Sequence, residues 1–335
     1  MTPESNPALN ATAVVRVSIL MLTYKAEDTV IAAMDGALSQ TVACEIIVSD
    51  DASPDKTFEL MSAHAADYRG PHALSVRRNV SNLGLSQHLN DLLAQATGDI
   101  IVFMAGDDIS YPQRVAELLQ AFQDNPEAFV AGSGWDEVDM QNRMIRRRPR
   151  NLPYRFSLTF FANAGRMATV VGATLAIRRE VYSVFGPIRG SVEDNVLTLR
   201  GALLGGGICL DSALVRYRQN PESLSNWLFA RGDNSADAFR KRYQRTSAMY
   251  LAIADDLEHC LQTLPDVSTG NRHDAEQIIR IYRLEAEART AILDKPRLQW
   301  LSPIWRGLLQ PGMRRKSLAR SFKLLLPRRF FGLKS

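Results

Sequence analysis

The chain has 335 residues, 46% hydrophobic and 23% charged, which excludes a largely disordered protein and leaves room for one large domain with an appendage. Its formal net charge of +4 is too small for whole-molecule electrostatics to point to nucleic acid. Cys44, Cys209 and Cys260 lie too far apart for a C-x-x-C pair or a short zinc-ligand run, and read as reduced thiols of a cytoplasmic protein. Residues 1–13 read as a loose N-terminal tail, because they hold Glu4 and lack a basic region followed by an apolar one. The pattern then turns regular. Val14 to Leu22 is apolar on nearly every residue, as suits a strand buried on both faces. A helical spacing follows over Asp28 to Ser39, a short apolar run over Cys44 to Val48, and a helix over Lys56 to Tyr68. Leu74 to Arg77, Ser86 to Ala96 and Ile100 to Met104 continue the alternation as strand, helix and strand.

Strands that alternate with helices predict right-handed β-α-β units and a doubly wound, mainly parallel sheet flanked by helices. Past about residue 130 the pattern loosens, and the basic, proline-punctuated stretch RMIRRRPRNLPYRF reads as a mobile loop. GALLGGGICL reads as a tight helix-to-strand connection, since it lacks the lysine of a phosphate loop. Long helical patterns, Ala236 to Leu264 and His273 to Leu293, then predict a helical C-terminal extension. The expected organisation is a tail over 1–13, an α/β domain over 14–230 and a helical region over 231–335. No run approaches the roughly 18 consecutive apolar residues of a membrane-spanning helix.

Ligands of such sheets bind outside the carboxyl ends of the strands. Three polar clusters fall there: Thr23-Tyr24, Asp50-Asp51 and Asp107-Asp108. The adjacent carboxylates of Asp107 and Asp108 suit Mg2+ or Mn2+, which takes one or two protein carboxylates and fills its remaining positions with water and substrate phosphates. The competing reading makes them caps of the helix beginning near Pro112. Asp51 could accept a hydrogen bond from the imide of a pyrimidine base, while Ser53 or Asp55 caps the next helix; Tyr24 offers the base an aromatic face or is a partly buried strand-end tyrosine. The five histidines are scattered, which argues against zinc, and no nucleophile elbow is present.

The series VSILMLTYK, EIIVSDDASPDKT, NVSNLGLSQHLNDLLAQATGDIIVFMAGDD and GSVEDNVL resembles the family 2 glycosyltransferases, over about residues 14 to 225. The resemblance implies the GT-A fold, a UDP- or dTDP-sugar donor and a divalent metal, Mn2+ or Mg2+. Carried over residue by residue, it implies that Thr23, Tyr24 and Asp51 hold the base. Asn82 to Gly84 line the nucleotide pocket, Asp107 serves ribose and metal, and Asp108 is the main metal contact. Asp194, in SVEDNVL, falls where the family places its catalytic base; on local grounds it is equally a helix-start acid favoured by the dipole. The implied reaction is an inverting transfer to a hydroxyl of a saccharide or lipid-linked acceptor, in cell-envelope or polysaccharide synthesis. Two positions depart from the common pattern: Ala105 stands where an acid is frequent, and Asn220 where a histidine often follows a Tyr-Arg step.

From Gln310 onward the chain has eight Lys or Arg and no acid, interleaved with Phe322, Leu325, Phe330 and Phe331. This reads either as a basic amphipathic segment that meets an anionic membrane surface from the cytoplasmic side, or as a terminal helix docked on the domain; a nucleic-acid partner is not expected. Two other functions compete with the transferase. A sugar-phosphate nucleotidyltransferase would need a glycine-rich, basic loop after the first strand, which TYKAEDT is not. A non-catalytic nucleotide- or glycan-binding module would be compatible with Ala105 and Asn220.

Overall fold

The computed structural model describes residues 15–190, 192–220, 236–310 and 312–323. The uncharged run VSILMLT forms β1 (Val17–Thr23), paired in parallel with β2 (Glu45–Asp50) on one side and with β4 (Ile100–Ala105) on the other. β3 (Ala73–Arg78) extends the parallel sheet beyond β2. Between these strands run α1 (Val30–Leu38), α2 (Thr57–Ala66) and α3 (Leu85–Gln95). A strand covered on both faces has no wet side, which is why β1 and β4 show no apolar-polar alternation. The observed limits differ from the sequence expectation by a few residues. One shift matters: β2 continues through Asp50, so that Asp50 belongs to the sheet and Asp51 opens the turn.

Beyond β4 the chain forms β5 (Ile109–Ser110), α4 (Arg114–Asp124), β6 (Val130–Val138), β7 (Met144–Arg148), β8 (Arg155–Phe156), α5 (Leu158–Ala164), β9 (Ala176–Arg178), α6 (Glu180–Ser183), α7 (Glu193–Leu204) and β10 (Gly207–Arg218). The main sheet order is β3-β2-β1-β4-β9-β6-β10-β5. β9 is antiparallel to both β4 and β6, whereas β10 is parallel to β6. The chain builds outward from β1 in both directions, and the carboxyl ends of β1, β2 and β4 border the crevice where such sheets take ligands.

The expected mobile loop is a correction. Met144–Arg148 is strand β7, antiparallel to β6 in a register that sets Arg147 opposite Asp136 and Arg146 opposite Glu137. Arg147 Nε bonds Asp136 Oδ1 at 2.8 Å, and Arg148 Nε and Arg146 Nε both reach the Glu137 carboxylate. The basic run is ordered by two acids on the neighbouring strand, and composition within the run could not show them. The glycine-rich connection is as expected: α7 stops at Leu204 and β10 starts at Gly207.

Among the described residues four α-helices follow: α8 (Ala236–Thr263), α9 (Thr269–Asp294), α10 (Leu301–Leu309) and α11 (Arg314–Lys323). α9 is capped by Ser268, whose side chain accepts from Asn271 N–H. Most of the buried face of α8 and α9 belongs to the core of the α/β region, and one end of the pair forms a small cluster of Ala291 and Ile292 with Trp300 and Ile304. Ile253, Leu257, Ile278 and Tyr282 join one buried cluster with Leu197, Leu203 and Phe161. Arg200, fully buried on α7, makes a bidentate pair with Asp256 of α8 at 2.9 and 2.6 Å and donates to the Gly186 and Pro187 carbonyls. The helix that starts at Glu193 is thereby bolted to the C-terminal hairpin. No helix among the described residues is long and apolar enough to cross a membrane. Residues 1–13, Leu325, Phe330, Phe331 and the side chain of Phe322 lie outside the described residues.

Candidate active site

At the end of β1 the Thr23 hydroxyl turns inward and donates to the Ser49 carbonyl at 3.0 Å, while its own carbonyl accepts the Asp51 N–H at 2.9 Å. Thr23 can therefore face a ligand only through its backbone. Tyr24 points outward, 47% exposed, with Lys25 Nζ 5.5 Å from its ring centroid. A flat base could lie against such a ring.

Asp50 and Asp51 are heavily bonded. Asp50 accepts Ser53 N–H at 3.0 Å and the Ser53 hydroxyl, and pairs with Arg78 Nε at 3.3 Å. Asp51 Oδ1 accepts Asn79 Nδ2 at 2.7 Å and Leu83 N–H at 2.9 Å, and its Oδ2 accepts Gly84 N–H at 2.9 Å. Its carboxylate thus clamps the loop that leads into α3, with the Asn82 side chain closing on Gly84 N–H at 3.1 Å. Gly84 has φ 75 and ψ 161, a region open essentially to glycine alone. The N-cap of α2 is Lys56 and not Ser53 or Asp55, and it makes no side-chain cap bond; Asp55 accepts from Thr57 N–H and hydroxyl at the start of the helix. Asp51 retains room for about one further donor, since a carboxylate offers roughly four lone-pair sites.

At the end of β4 the chain turns through Gly106, where a Cβ would come within 2.7 Å of Thr23 Cγ2, so only glycine lets the two strand ends pack. Asp107 is half-buried and Asp108 is 2% exposed. Neither caps α4: its N-cap is Gln113, which has no side-chain cap, and Asp108 Oδ1 instead accepts Arg218 N–H at 2.9 Å. The other Asp108 oxygen has no protein donor among the described residues. Burial raises the pKa of both carboxyls, that of Asp108 well above the usual range, with the Asp107 charge adding to it and Arg114 and Arg218 opposing it. Two carboxylates with hard oxygen ligands, undersupplied with hydrogen-bond donors, fit Mg2+ or Mn2+. Among the described residues no group of three His, Cys, Asp or Glu forms a metal cage, so the remaining ligands would come from water and a bound diphosphate.

Two arginines that the motif reading passed over organise this acidic end. Arg218 Nε holds the Asp107 carbonyl at 2.8 Å, and its Nη1 holds the Met140 carbonyl at 2.8 Å. Arg114, fully buried, reaches Ser110 Oγ and the carbonyls of Phe103 and Ala173, each at 2.9 Å. Burial lowers its pKa to about 10, against the pull of Asp108. Arg218 had a weak signal in the Tyr-Arg step before Asn220; Arg114 had none.

Ala173 belongs to the short turn Gly172–Thr174, and Gly172 sits against Asp194: a Cβ there would be 3.7 Å from Asp194 Cβ. Asp194 lies in the first turn of α7, and its Oδ1 accepts Asn195 N–H at 2.8 Å. Burial, reinforced by Glu193, raises its pKa to about 6, against the backbone N–H groups. Glu193 accepts the Ser86 hydroxyl from the start of α3. Arg114 thus joins the carbonyl of Phe103, near the end of β4, to that of Ala173 beside Gly172, and Asp51 is tied towards α7 by the 79–84 loop and by Ser86. The five histidines stay apart; His88, for example, is buried against Ser49 Oγ at 2.6 Å.

The glycosyl transferase family 2 model matches residues 18–186, which is half of the chain and spans β1 through α6. The chain belongs to that family. Two curated proteins of Bacillus subtilis with glycosyltransferase names are similar to it: EpsE, 33% identical over 134 residues, and YdaM, 25% identical over 190 residues. These matches cover 39% and 55% of this chain and 48% and 45% of the relatives, so the chain spans about half the length of the curated relatives it matches. Among solved structures, S. aureus TarS 1-349 in complex with UDP-GlcNAc aligns at a TM-score of 0.52 and 15% identity, over 91% of this chain and 92% of that one. The mannosyltransferase PcManGT of Pyrobaculum calidifontis, in complex with GDP-Man and Mn2+, aligns at 0.50 and 18% identity, over 93% and 87%. At these identities the structural likeness carries the GT-A fold.

Proposed function

We propose that this family 2 member is a metal-dependent, inverting glycosyltransferase that moves a sugar from a nucleotide-diphospho-sugar to an acceptor hydroxyl. The observation that carries the reading is the donor-poor carboxylate pair Asp107-Asp108 at the carboxyl end of β4, together with Asp194, raised to about 6 at the start of α7. The nucleotide-sugars in the TarS and PcManGT complexes support the donor class, and the pyrimidine contact assigned to Asp51 favours a UDP- or dTDP-sugar.

In the proposed reaction, Tyr24 lies on the base and Asp51 takes its imide N–H with the lone pair that the 79–84 loop leaves over; Asn82 and Gly84 wall the nucleotide. Asp107 binds ribose, and Asp107 and Asp108 would hold the metal. The metal, Mn2+ or Mg2+, would neutralise charge on the leaving diphosphate, as a Lewis acid does. Asp194 removes the proton from the acceptor hydroxyl, which attacks the anomeric carbon from the face opposite the leaving group, and configuration inverts. A pKa of about 6 leaves Asp194 ionised at neutral pH yet more basic than an ordinary carboxylate. The acceptor is a saccharide or lipid-linked saccharide of the cell envelope or a polysaccharide, and the basic residues after Gln310 serve attachment to an anionic membrane surface.

The test is a thermal-shift screen of nucleotide-sugars with Mn2+ or Mg2+, followed by product analysis with the donor that stabilises the protein. A metal-dependent stabilisation and an inverted glycoside are expected. No stabilisation by any nucleotide-sugar would sink the donor assignment. Stabilisation without any transferred or hydrolysed sugar would favour a binding module.

A further inference from the structure

The last 41 residues hold eleven Lys or Arg and no Asp or Glu, so the net +4 of the chain is the difference between +11 there and −7 in the 294 residues before them. This charge does not stand alone. α10 buries one face, Pro303, Ile304 and Gly307, against the protein, and leaves Leu301, Trp305 and Leu309 on the other at a spacing of one helical turn. Trp305 is 63% exposed, Leu309 77% and the preceding Leu298 82%. α11 packs on α10 through Ser317 at Gly307, and exposes Leu318 with Arg314 and Arg315. Both helices are anchored to the body: Trp300 is buried, its indole N–H donates to the Lys295 carbonyl at 2.9 Å, and Lys316 Nζ bonds the Gly165 carbonyl at 2.8 Å. A folded helix face, anchored to the body, thus presents a Trp-Leu stripe that its own packing leaves uncovered.

We infer that the exposed face of α10, Leu301, Trp305 and Leu309, together with Leu298 just before it and the arginines of α11 beside it, is a docking surface for an anionic lipid bilayer. A stripe of leucines and one tryptophan flanked by arginines is the pattern of helices that lie in the headgroup layer, where apolar burial and attraction to acidic lipids add together. The charge selects this occupant over the others. A second copy of the chain would bring another +11 region to the same place, and the residues after Lys323 are themselves basic. The inference differs from attachment by the basic tail: the inserting side chains lie on a helix before Gln310, and the later arginines supply the attraction. It stands apart from the transferase reading, because binding to vesicles needs no donor.

The experiment is co-sedimentation of the full chain with vesicles of phosphatidylglycerol and phosphatidylcholine, compared with pure phosphatidylcholine. The same is done for Trp305→Asp/Leu309→Asp, whose sites are exposed, with thermal stability and nucleotide-sugar stabilisation as controls of folding and of the site. The full chain should partition onto acidic vesicles, lose that partition as salt rises from about 0.1 to 0.5 M, and bind at least about tenfold more weakly as the double variant. Failure of the full chain to bind acidic vesicles would overturn the proposal. So would equal binding by the variant, or a lipid-free dimer that the two substitutions dissolve. Unchanged donor stabilisation in the variant keeps this result separate from the fate of the transferase reading.

Discussion

Asp50-Asp51 at the end of β2 and Asp107-Asp108 at the end of β4 are acidic pairs on the same edge of one sheet, but the protein supplies them unequally. The first pair receives six protein donors, including Arg78, two backbone N–H groups from the 79–84 loop and one from Ser53. The second receives Arg218 N–H at Asp108, and burial drives both of its carboxyls toward the neutral form. Asp256, buried against Arg200, belongs with the first pair; Asp194, raised to about 6, belongs with the second. A well-supplied carboxylate holds the fold together. An undersupplied one stores a demand for positive charge or for a proton, which a metal and an acceptor hydroxyl would meet.

This contrast can be broken at either end. The largest expected effect is on transfer by Asp194→Asn, which should fall by about 10²- to 10⁴-fold while the donor still stabilises the protein. Its counterpart in the wild type is a rate that declines below a pH of about 6, as the base is protonated. Transfer and donor hydrolysis assayed separately would settle it, and undiminished transfer by the variant removes Asp194 from the mechanism. On the well-supplied side, Asp256→Ala leaves Arg200 buried without its partner and should cost about 3–5 kcal/mol in denaturant unfolding. A loss under about 1 kcal/mol would mean that the Gly186 and Pro187 carbonyls suffice for it.

Asp51→Ala takes the acceptor away from Asn79, Leu83 and Gly84 and should cost about 1–3 kcal/mol, together with donor binding. Full stability with donor binding lost would make Asp51 a ligand contact and not a clamp. The smallest change is predicted for Asp108→Asn, and its sign is the informative part. A carboxyl whose folded-state pKa is raised favours the folded protein while protonated, and that advantage is lost as pH rises through the folded-state value. The asparagine still accepts Arg218 N–H. The variant should therefore melt slightly above the wild type at pH 7.5, converge with it in acid, and lose the Mn2+-dependent response to donor. A lower melting point at neutral pH would show that the Asp108 charge is already compensated by Arg114 and Arg218.

The sequence by itself determined β1 to β4 with their helices, and placed Thr23, Asp51 and Asp107-Asp108 at strand ends, because burial on both faces writes a continuous apolar run and the turn after it is local. It also set the helical character of the C-terminal region. Only the tertiary structure decided which carboxylates are supplied with donors. Arg218 reaches Asp108 across 110 residues and Arg114 reaches Ala173 across 59, and no window of sequence contains both partners. The same holds for the run at 144–148, ordered as a strand by Asp136 and Glu137, and for Trp305, which shares an apolar pattern with buried Ile304 yet faces outward. Periodicity reports that a face is apolar; what covers it, or which charge answers a buried acid, is fixed by distant residues brought together in the fold.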